Sequence, residues 1–224
     1  MIIYMRKGLS LSDIFRLEKL SSILKLRKVL SDIALTVYTI EYFITKKKPT
    51  TIVKRNFISK IGNYYGCKTI VESGTYFGQS TKYFSKFFSK VFSVELSPNL
   101  YEFSSRRFSK ISNIFLYLGD SVVQLPRIIL LLNQPTIFYL DAHASGGVTQ
   151  QGEEPSPIKK ELEIISNFEY LRNSIILLDD ARGFDGSNSY PSFMEVCEWA
   201  VRNGLSKPYI KLDMIIIKPV SKNV

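Results

Sequence analysis

Residues 69–80 read TIVESGTYFGQS, a short β-branched run followed by an acidic residue and a turn with two glycines. The run Thr69–Glu72 predicts a buried strand, and the residues from Ser80 onward predict a helix. Gly74 and Gly78 let the backbone approach a ligand closely, and the helix start after Gly78 would offer N–H groups to an anionic group. The turn has neither the G-x-G-x-x-G pattern nor a G-x-x-x-x-G-K-[ST] loop, so a nicotinamide dehydrogenase and an NTPase are disfavoured.

The residues beyond this stretch continue to alternate short apolar runs with helical segments. This alternation is typical of an α/β fold in which crossover helices link parallel strands. The remaining strands are predicted at Val91–Glu95, Ile114–Leu118, Ile137–Asp141 and Ile175–Asp179, with one or two closing strands within residues 209–218. The helices are predicted at Ser80–Ser89, Pro98–Lys110, Val122–Leu132, Ile158–Phe168 and Tyr190–Arg202.

Each of the five predicted parallel strands ends at, or runs into, an acidic residue. Open α/β sheets bind their ligands at the carboxyl ends of the strands, so these side chains are expected to line one crevice. The acidic positions are Glu72, Glu95, Asp120, Asp141 and the pair Asp179-Asp180.

Two of these carboxylates have direct interpretations from their positions. Glu95 ends the second strand, twenty-three residues after Glu72, where an acidic residue accepts hydrogen bonds from two ribose hydroxyls. Asp120 either accepts a hydrogen bond from an adenine amino group or simply caps the helix that follows it.

These motifs together resemble a known family. The pattern Glu72-x-Gly74-x-Tyr76-x-Gly78-x-Ser80, the run Ser93–Pro98, and strands that end in Asp141 and in Asp179-Asp180 resemble the class I S-adenosylmethionine-dependent methyltransferases. Within that class the sequence is most similar to the metal-dependent O-methyltransferases, of the catechol type and of the macrocin type that methylates sugar hydroxyls. The resemblance covers residues 68–184 and implies a Rossmann-like, mostly parallel seven-stranded sheet flanked by helices.

The resemblance also implies which residues bind the cofactor, S-adenosylmethionine. The methionine part would be surrounded by Glu72, Gly74, Thr75, Tyr76, Gly78 and Ser80. The ribose would be held by Glu95, with Leu96 beside it, and the adenine would lie near Asp120 and Ser121.

The resemblance further implies a divalent cation on Asp141, Asp179 and Asp180. Three carboxylates without cysteine or paired histidine form a hard oxygen site, which suits Mg²⁺. The alternative is that Asp179 and Asp180 form an ordinary loop and cap pair.

His143, the single histidine, either acts as a general base or makes a structural hydrogen bond, and Asp141 is the alternative base. The loop Ala144–Pro157 is either a lid or a surface insertion.

The positive charge lies mainly at the N-terminus. The net charge is +10, and residues 1–60 hold thirteen Lys/Arg against four Asp/Glu. Apolar residues recur at helical spacing between Leu11 and Leu30, so residues 1–55 are predicted to be a basic amphipathic helical arm before a methyltransferase domain at 56–224. The arm either packs on the domain or binds an anionic membrane surface or a lipid-linked substrate. Nucleic acid is disfavoured because no nucleic-acid-binding signature accompanies the charge.

The two cysteines bear on metal binding and on the cellular location. Cys67 and Cys197 lie outside any zinc-type or C-x-x-C spacing, and a cytoplasmic location follows as the default. The function that the resemblance implies is Mg²⁺-dependent O-methylation of a sugar or another small-molecule diol. The candidate substrates include a nucleotide- or lipid-linked sugar, and the sequence is compatible with homo-oligomers. The alternatives are a nucleic-acid methyltransferase that uses the arm, and a non-catalytic binding module that retains the fold.

Overall fold

The structure is a computed structural model that describes residues 50–141, 156–187 and 189–221. Elements are numbered within these ranges. The strands are β1 (Thr69–Ser73), β2 (Lys90–Glu95), β3 (Ile114–Leu118), β4 (Thr136–Leu140), β5 (Ile175–Asp179), β6 (Tyr209–Lys211) and β7 (Met214–Ile217). The α-helices are α1 (Thr51–Tyr65), α2 (Gln79–Phe84), α3 (Pro98–Phe108), α4 (Ser121–Ile129), α5 (Ile158–Ser166) and α6 (Phe193–Arg202). Two short 3₁₀ helices cover Leu171–Asn173 and Ala181–Gly183.

The seven strands form one sheet in the order β3-β2-β1-β4-β5-β7-β6. Strands β1 to β5 are parallel to their neighbours, and β7 runs antiparallel to both β5 and β6. The chain moves outward from β1 to β3 and then returns to place β4 on the other side of β1. The switch point of the sheet therefore lies between β1 and β4, where open α/β sheets bind their ligands. The predicted Rossmann-like fold is confirmed.

The centre of the sheet is buried on both faces. Every residue of β1 and of β4 is buried, as expected for parallel strands covered by crossover helices. On one face, Val71 and Phe138 pack in a cluster with Leu125 of α4 and Ile165 of α5. This packing fixes the carboxyl ends of β1 and β4, and with them the loops that follow.

Helix α2 ends earlier than the sequence predicts. It stops at Phe84, five residues before Ser89. The side-chain amide of Asn113 donates to the carbonyls of Ser85 and Phe88 at 2.8 and 2.9 Å, so these carbonyls are satisfied by a distant residue rather than by further helix.

The start of helix α6 and the presence of helix α1 also differ from the prediction. Helix α6 begins at Phe193 instead of Tyr190, because Ser192 and Glu195 form a reciprocal capping box. Helix α1 has no counterpart in the predicted elements.

Several predictions fall on residues outside the described ranges. These are the amphipathic helix of the arm, His143, and almost all of the loop Ala144–Pro157. The domain boundary between residues 55 and 56 also stays a prediction. Among the helices that the structure describes, none combines the length and the apolar character needed to cross a membrane.

Candidate cofactor and substrate site

The carboxyl ends of three neighbouring strands lie level with one another. Ser73, the last residue of β1, pairs with Val94 of β2 and with Leu140 of β4. The predicted site residues Glu72, Glu95 and Asp141 are therefore within one residue of the same edge, next to the switch point. The structure brings these three together as the sequence predicts.

The turn after β1 folds tightly over the end of β2. The backbone N–H groups of Gly74 and Thr75 both donate to the carbonyl of Val94 at 3.0 Å. Tyr76 and Gly78 have positive φ angles of 51° and 65°, in the left-handed region. Such angles let the chain reverse within a few residues, and the Tyr76 side chain is left exposed.

Gly78 is required by its surroundings as well as by its backbone angle. A Cβ atom at this position would lie 2.3 Å from Cζ of Phe108, on helix α3. The turn therefore packs directly against α3, and α2 begins at the next residue, Gln79.

Glu95 is held by two backbone donors. Tyr76 N–H donates to Oε2 at 2.7 Å, and Ser97 N–H donates to Oε1 at 2.9 Å. Burial raises the pKa of Glu95, and these backbone hydrogen bonds oppose the rise. Each oxygen has a further lone pair, so the carboxylate is oriented to accept two hydroxyl groups. Leu96, the next residue, is half-buried.

Glu72 is fully buried beneath the turn. Its Oε2 accepts hydrogen bonds from the hydroxyls of Thr81 at 2.6 Å and Ser93 at 2.8 Å. The hydroxyl of Thr75 lies 2.7 Å from that of Ser93, which links the turn to the carboxyl. Burial raises the pKa of Glu72 to about 7, although the two hydroxyl donors and the charge of Arg55 oppose the rise.

Arg55 is a site residue that the sequence analysis missed. Its Nε donates to Oγ of Ser80 at 2.9 Å, so a residue of α1 reaches the start of α2. Burial lowers the pKa of Arg55, and the charge of Glu72 opposes this effect. Nothing in the local sequence distinguishes Arg55 from the other basic residues before position 60.

Asp120 caps helix α4, which is one of its two predicted roles. Its Oδ1 accepts a hydrogen bond from the N–H of Val122 at 2.8 Å, and Ser121 beside it is buried. The contact with an adenine amino group stays a prediction.

The acidic residues at the ends of β4 and β5 have partners from the chain itself. The Asp141 N–H donates to the carbonyl of Ser73 at 3.1 Å. One oxygen of Asp179 forms an ion pair with Lys54 and accepts the N–H of Asp180 at 2.8 Å. The other oxygen accepts the hydroxyl of Tyr139 at 2.6 Å. Lys54, from α1, was not foreseen in the sequence.

Asp180 forms an ion pair with Arg182. Its φ of 53° lies in the left-handed region, and its Oδ1 is 2.5 Å from Nη2 of Arg182. Arg182 also forms an ion pair with Asp213, which precedes β7. Among the described residues, the ion pairs of Arg182 are therefore with Asp180 and Asp213.

These contacts, as they stand, do not fit a divalent cation. A carboxylate that already neutralises an ammonium and accepts a hydroxyl has little capacity left for a metal. Within residues 50–141, 156–187 and 189–221, no three His, Cys, Asp or Glu side chains form a group that could hold a metal ion. The Mg²⁺ site on Asp141, Asp179 and Asp180 stays a prediction.

Glu161 of α5 is a further buried carboxyl close to this edge. Neither of its oxygens has a hydrogen-bond partner among the described residues. Burial raises the pKa of Glu161 to about 7, and the charge of Asp120 raises it further. The nearby hydroxyls of Ser121 and Ser73 oppose this rise, but neither forms a hydrogen bond with the carboxyl group. The signal was present in the sequence, because Glu161 falls on the apolar face of its helix, between Ile158 and Leu162.

The chain was compared with known proteins by sequence and by structure. No protein-family model and no curated protein sequence matches the chain. Among solved structures, it is similar to a methyltransferase of Podospora anserina bound to S-adenosylhomocysteine, with 15% identity, a TM-score of 0.54, and 84% of this chain and 88% of that chain covered.

Two bacterial structures are similar to the same degree. A putative caffeoyl-CoA O-methyltransferase from Staphylococcus aureus shares 13% identity at a TM-score of 0.53, with 91% of this chain and 95% of that chain covered. An O-methyltransferase from Bacillus cereus in complex with S-adenosylhomocysteine shares 15% identity at a TM-score of 0.52, with 86% and 96% covered. At these identities the likeness shows the fold, and the fold is that of the methyltransferases to which the motifs pointed.

Proposed function

We propose that this chain, which has the Rossmann-like fold of class I methyltransferases, transfers a methyl group from S-adenosylmethionine to a hydroxyl oxygen of a small molecule such as a sugar or another diol. The observation that carries the proposal is Glu95. Its carboxylate stands at the end of β2, oriented by the N–H groups of Tyr76 and Ser97, beside the tight turn that follows β1. An acidic residue so placed suits a pair of ribose hydroxyls.

The residues of the turn suit the rest of the cofactor. Glu72 lies below the turn as a buried carboxyl that can pair with an ammonium group, and such pairing favours its ionised form. Ser121, the first residue of helix α4, would lie near the adenine. When bound, S-adenosylmethionine supplies an electrophilic methyl group on a good leaving group. The chain then has to align the acceptor oxygen and take up its proton.

The acceptor side is the edge formed by β4 and β5. Asp141, which follows β4, is the proposed acceptor of the proton from the hydroxyl, with His143 as the other candidate base. The preference for a sugar or diol rests on the macrocin-type resemblance of Leu140–His143 and Leu178–Arg182. Mg²⁺ dependence is a prediction of the same resemblance and is not needed for this proposal.

The basic arm suggests how a substrate would reach the enzyme. Its charge suits an anionic membrane surface or a nucleotide- or lipid-linked sugar. A nucleic-acid substrate is the competing hypothesis, and it predicts RNA binding with a steep salt dependence.

Isothermal titration with S-adenosylhomocysteine tests the cofactor class. We expect micromolar binding by the wild type, at least about tenfold weaker binding by Glu95→Gln, and unchanged binding by Glu102→Gln, an exposed carboxyl on α3. Glutamine keeps the size of Glu95 but turns one acceptor into a donor. A folded wild-type protein that does not bind S-adenosylhomocysteine would contradict the proposal and favour a non-catalytic module.

A further inference from the structure

We propose that the ammonium of Lys54 is the resident cation of the acceptor site, in the place where the sequence predicts Mg²⁺, and that the site works without a divalent metal. The inference rests on the proposed function, because it names the charge that faces the acceptor oxygen. It is carried by the contacts of Asp179 and does not depend on any bound group.

The first step is the burial of the ion pair. The side chains of Lys54 and Asp179 are only 10% and 8% exposed, although 125 residues separate them in sequence. Removing two charges from water is costly, and removing one partner of a buried pair costs several kcal/mol. Lys54 is therefore a buried structural component of the site and not a solvated surface charge.

The second step is the occupation of Asp179 by donors of the chain. Tyr139 donates to one oxygen, and the Asp180 N–H shares the other oxygen with Lys54. Three of the about four lone-pair sites of the carboxylate are therefore used, and its charge is neutralised by Lys54. Lys54 also acts on Asp213, where its positive charge opposes the rise of the pKa that burial causes.

The third step concerns Asp180, the other predicted ligand at this strand end. Its carboxylate pairs with Arg182, which is also tied to Asp213. Both aspartates that follow β5 therefore have cations supplied by the chain.

An ammonium can serve an acceptor hydroxyl as a donor. It carries three N–H groups, and the described residues engage one of them, through Asp179. A remaining N–H group can donate to a substrate oxygen and hold it near Asp141. The positive charge also favours the ionised form of that oxygen, although less strongly than a divalent ion would.

The probe for this proposal is Mn²⁺ alone, titrated into the metal-free full chain and followed by the loss of the free-ion electron paramagnetic resonance signal. The wild type should show no saturable binding into the millimolar range. Lys54→Met should free Asp179 and show saturable Mn²⁺ binding below the millimolar range. Lys60→Met, an exposed lysine on the same helix, should behave as the wild type.

Each outcome of the titration is decisive. Saturable Mn²⁺ binding by the wild type overturns the proposal, and so does a folded Lys54→Met protein that gains no binding. Should Lys54→Met fail to fold, the same gain is expected for Lys54→Gln, which keeps a polar group at the position. The titration contains no cofactor, so its result is independent of whether S-adenosylhomocysteine binds.

Discussion

The backbone N–H of Tyr76 donates a 2.7 Å hydrogen bond to Oε2 of Glu95, and this contact ties the turn after β1 to the end of β2. The donor belongs to a residue with a left-handed backbone angle. The position of the carboxylate therefore depends on the shape of the turn and not on side-chain chemistry alone. Substitutions that distort the turn should disturb the proposed cofactor site without changing an acidic residue.

Gly78→Ala tests the shape of the turn. The new Cβ would lie 2.3 Å from Cζ of Phe108, and the φ of 65° already disfavours alanine. We expect a loss of about 3 kcal/mol or more in the free energy of unfolding, measured with urea. Gly66→Ala is the control, because Gly66 has a φ of 72° with nothing within 4 Å of its Cβ position. It should lose only about 1 kcal/mol from backbone strain. Equal losses would show that Phe108 yields to the new methyl group.

Glu161→Gln tests the buried carboxyl of α5. The pKa of Glu161 is raised to about 7 in the folded protein, against about 4.3 for a glutamate in an unfolded chain. The folded state therefore binds the proton more tightly, and stability is lost as the pH rises through this window. The stability of Glu161→Gln relative to the wild type should increase by about 3 kcal/mol between pH 4.5 and pH 8.

The control for Glu161→Gln is Glu163→Gln, on the exposed side of the same helix. It reports the effect of removing an exposed carboxyl group from the same helix. Glu72 also titrates near pH 7 and contributes to the slope of every variant, so the informative quantity is the difference between the two curves. A difference for Glu161→Gln that is flat across this range would mean that a partner satisfies the carboxylate in solution.

Tyr139→Phe removes the hydroxyl that donates to Asp179. A hydrogen bond to a charged group contributes about 1.5–3 kcal/mol, and this one is 2.6 Å long. We expect a loss in that range, measured by chemical denaturation, and a smaller loss than for Lys54→Met, because Lys54 still neutralises the carboxylate. Tyr117→Phe is the control, and it should hardly change the free energy of unfolding. The ring centroids of Tyr117 and Phe92 are 6.3 Å apart. A neutral effect of Tyr139→Phe would argue against its contact with Asp179.

Much of the scaffold was predictable because its signals are local. Strands β3 and β5 match their predicted bounds to the residue, since each is an apolar run between polar turns. Glu95 was placed at a strand end by the same signal. Lys54 was missed because its meaning depends on a contact across 125 residues, and no local pattern reports such a contact.

The predicted end of helix α2 was wrong for a related reason. The residues up to Ser89 suit a helix, but a side chain from the loop before β3 satisfies the last carbonyls. Tertiary contacts of this kind override local propensity. Ser97 is a smaller case, because a serine directly before a proline is the sequence pattern of a capping hydroxyl at a helix start. Ser97 is the N-cap of α3, but its side chain makes no capping hydrogen bond, and its N–H is used by Glu95 instead.

Thr81→Val tests whether Glu72 is ionised within the fold. The Thr81 hydroxyl donates to Glu72 at 2.6 Å and opposes the rise of its pKa. Valine has nearly the same shape but cannot donate, so the variant loses a bond that is strongest when Glu72 carries its charge. The destabilisation should therefore grow as the pH rises through about 7, and reach about 1.5–3 kcal/mol at pH 9.

The matched control for Thr81→Val is Thr136→Val, which is equally buried and whose hydroxyl donates to the neutral carbonyl of Gln134 at 3.0 Å. Its cost should be about 1 kcal/mol at every pH, because no ionisable group is involved. Urea denaturation of both variants and the wild type at pH 5, 7 and 9 gives the comparison. Parallel curves with a cost of about 1 kcal/mol for both variants would mean that Glu72 keeps its proton up to pH 9. A carboxyl that stays neutral could not pair with a cofactor ammonium, and the role proposed for Glu72 would fail while that of Glu95 would stand.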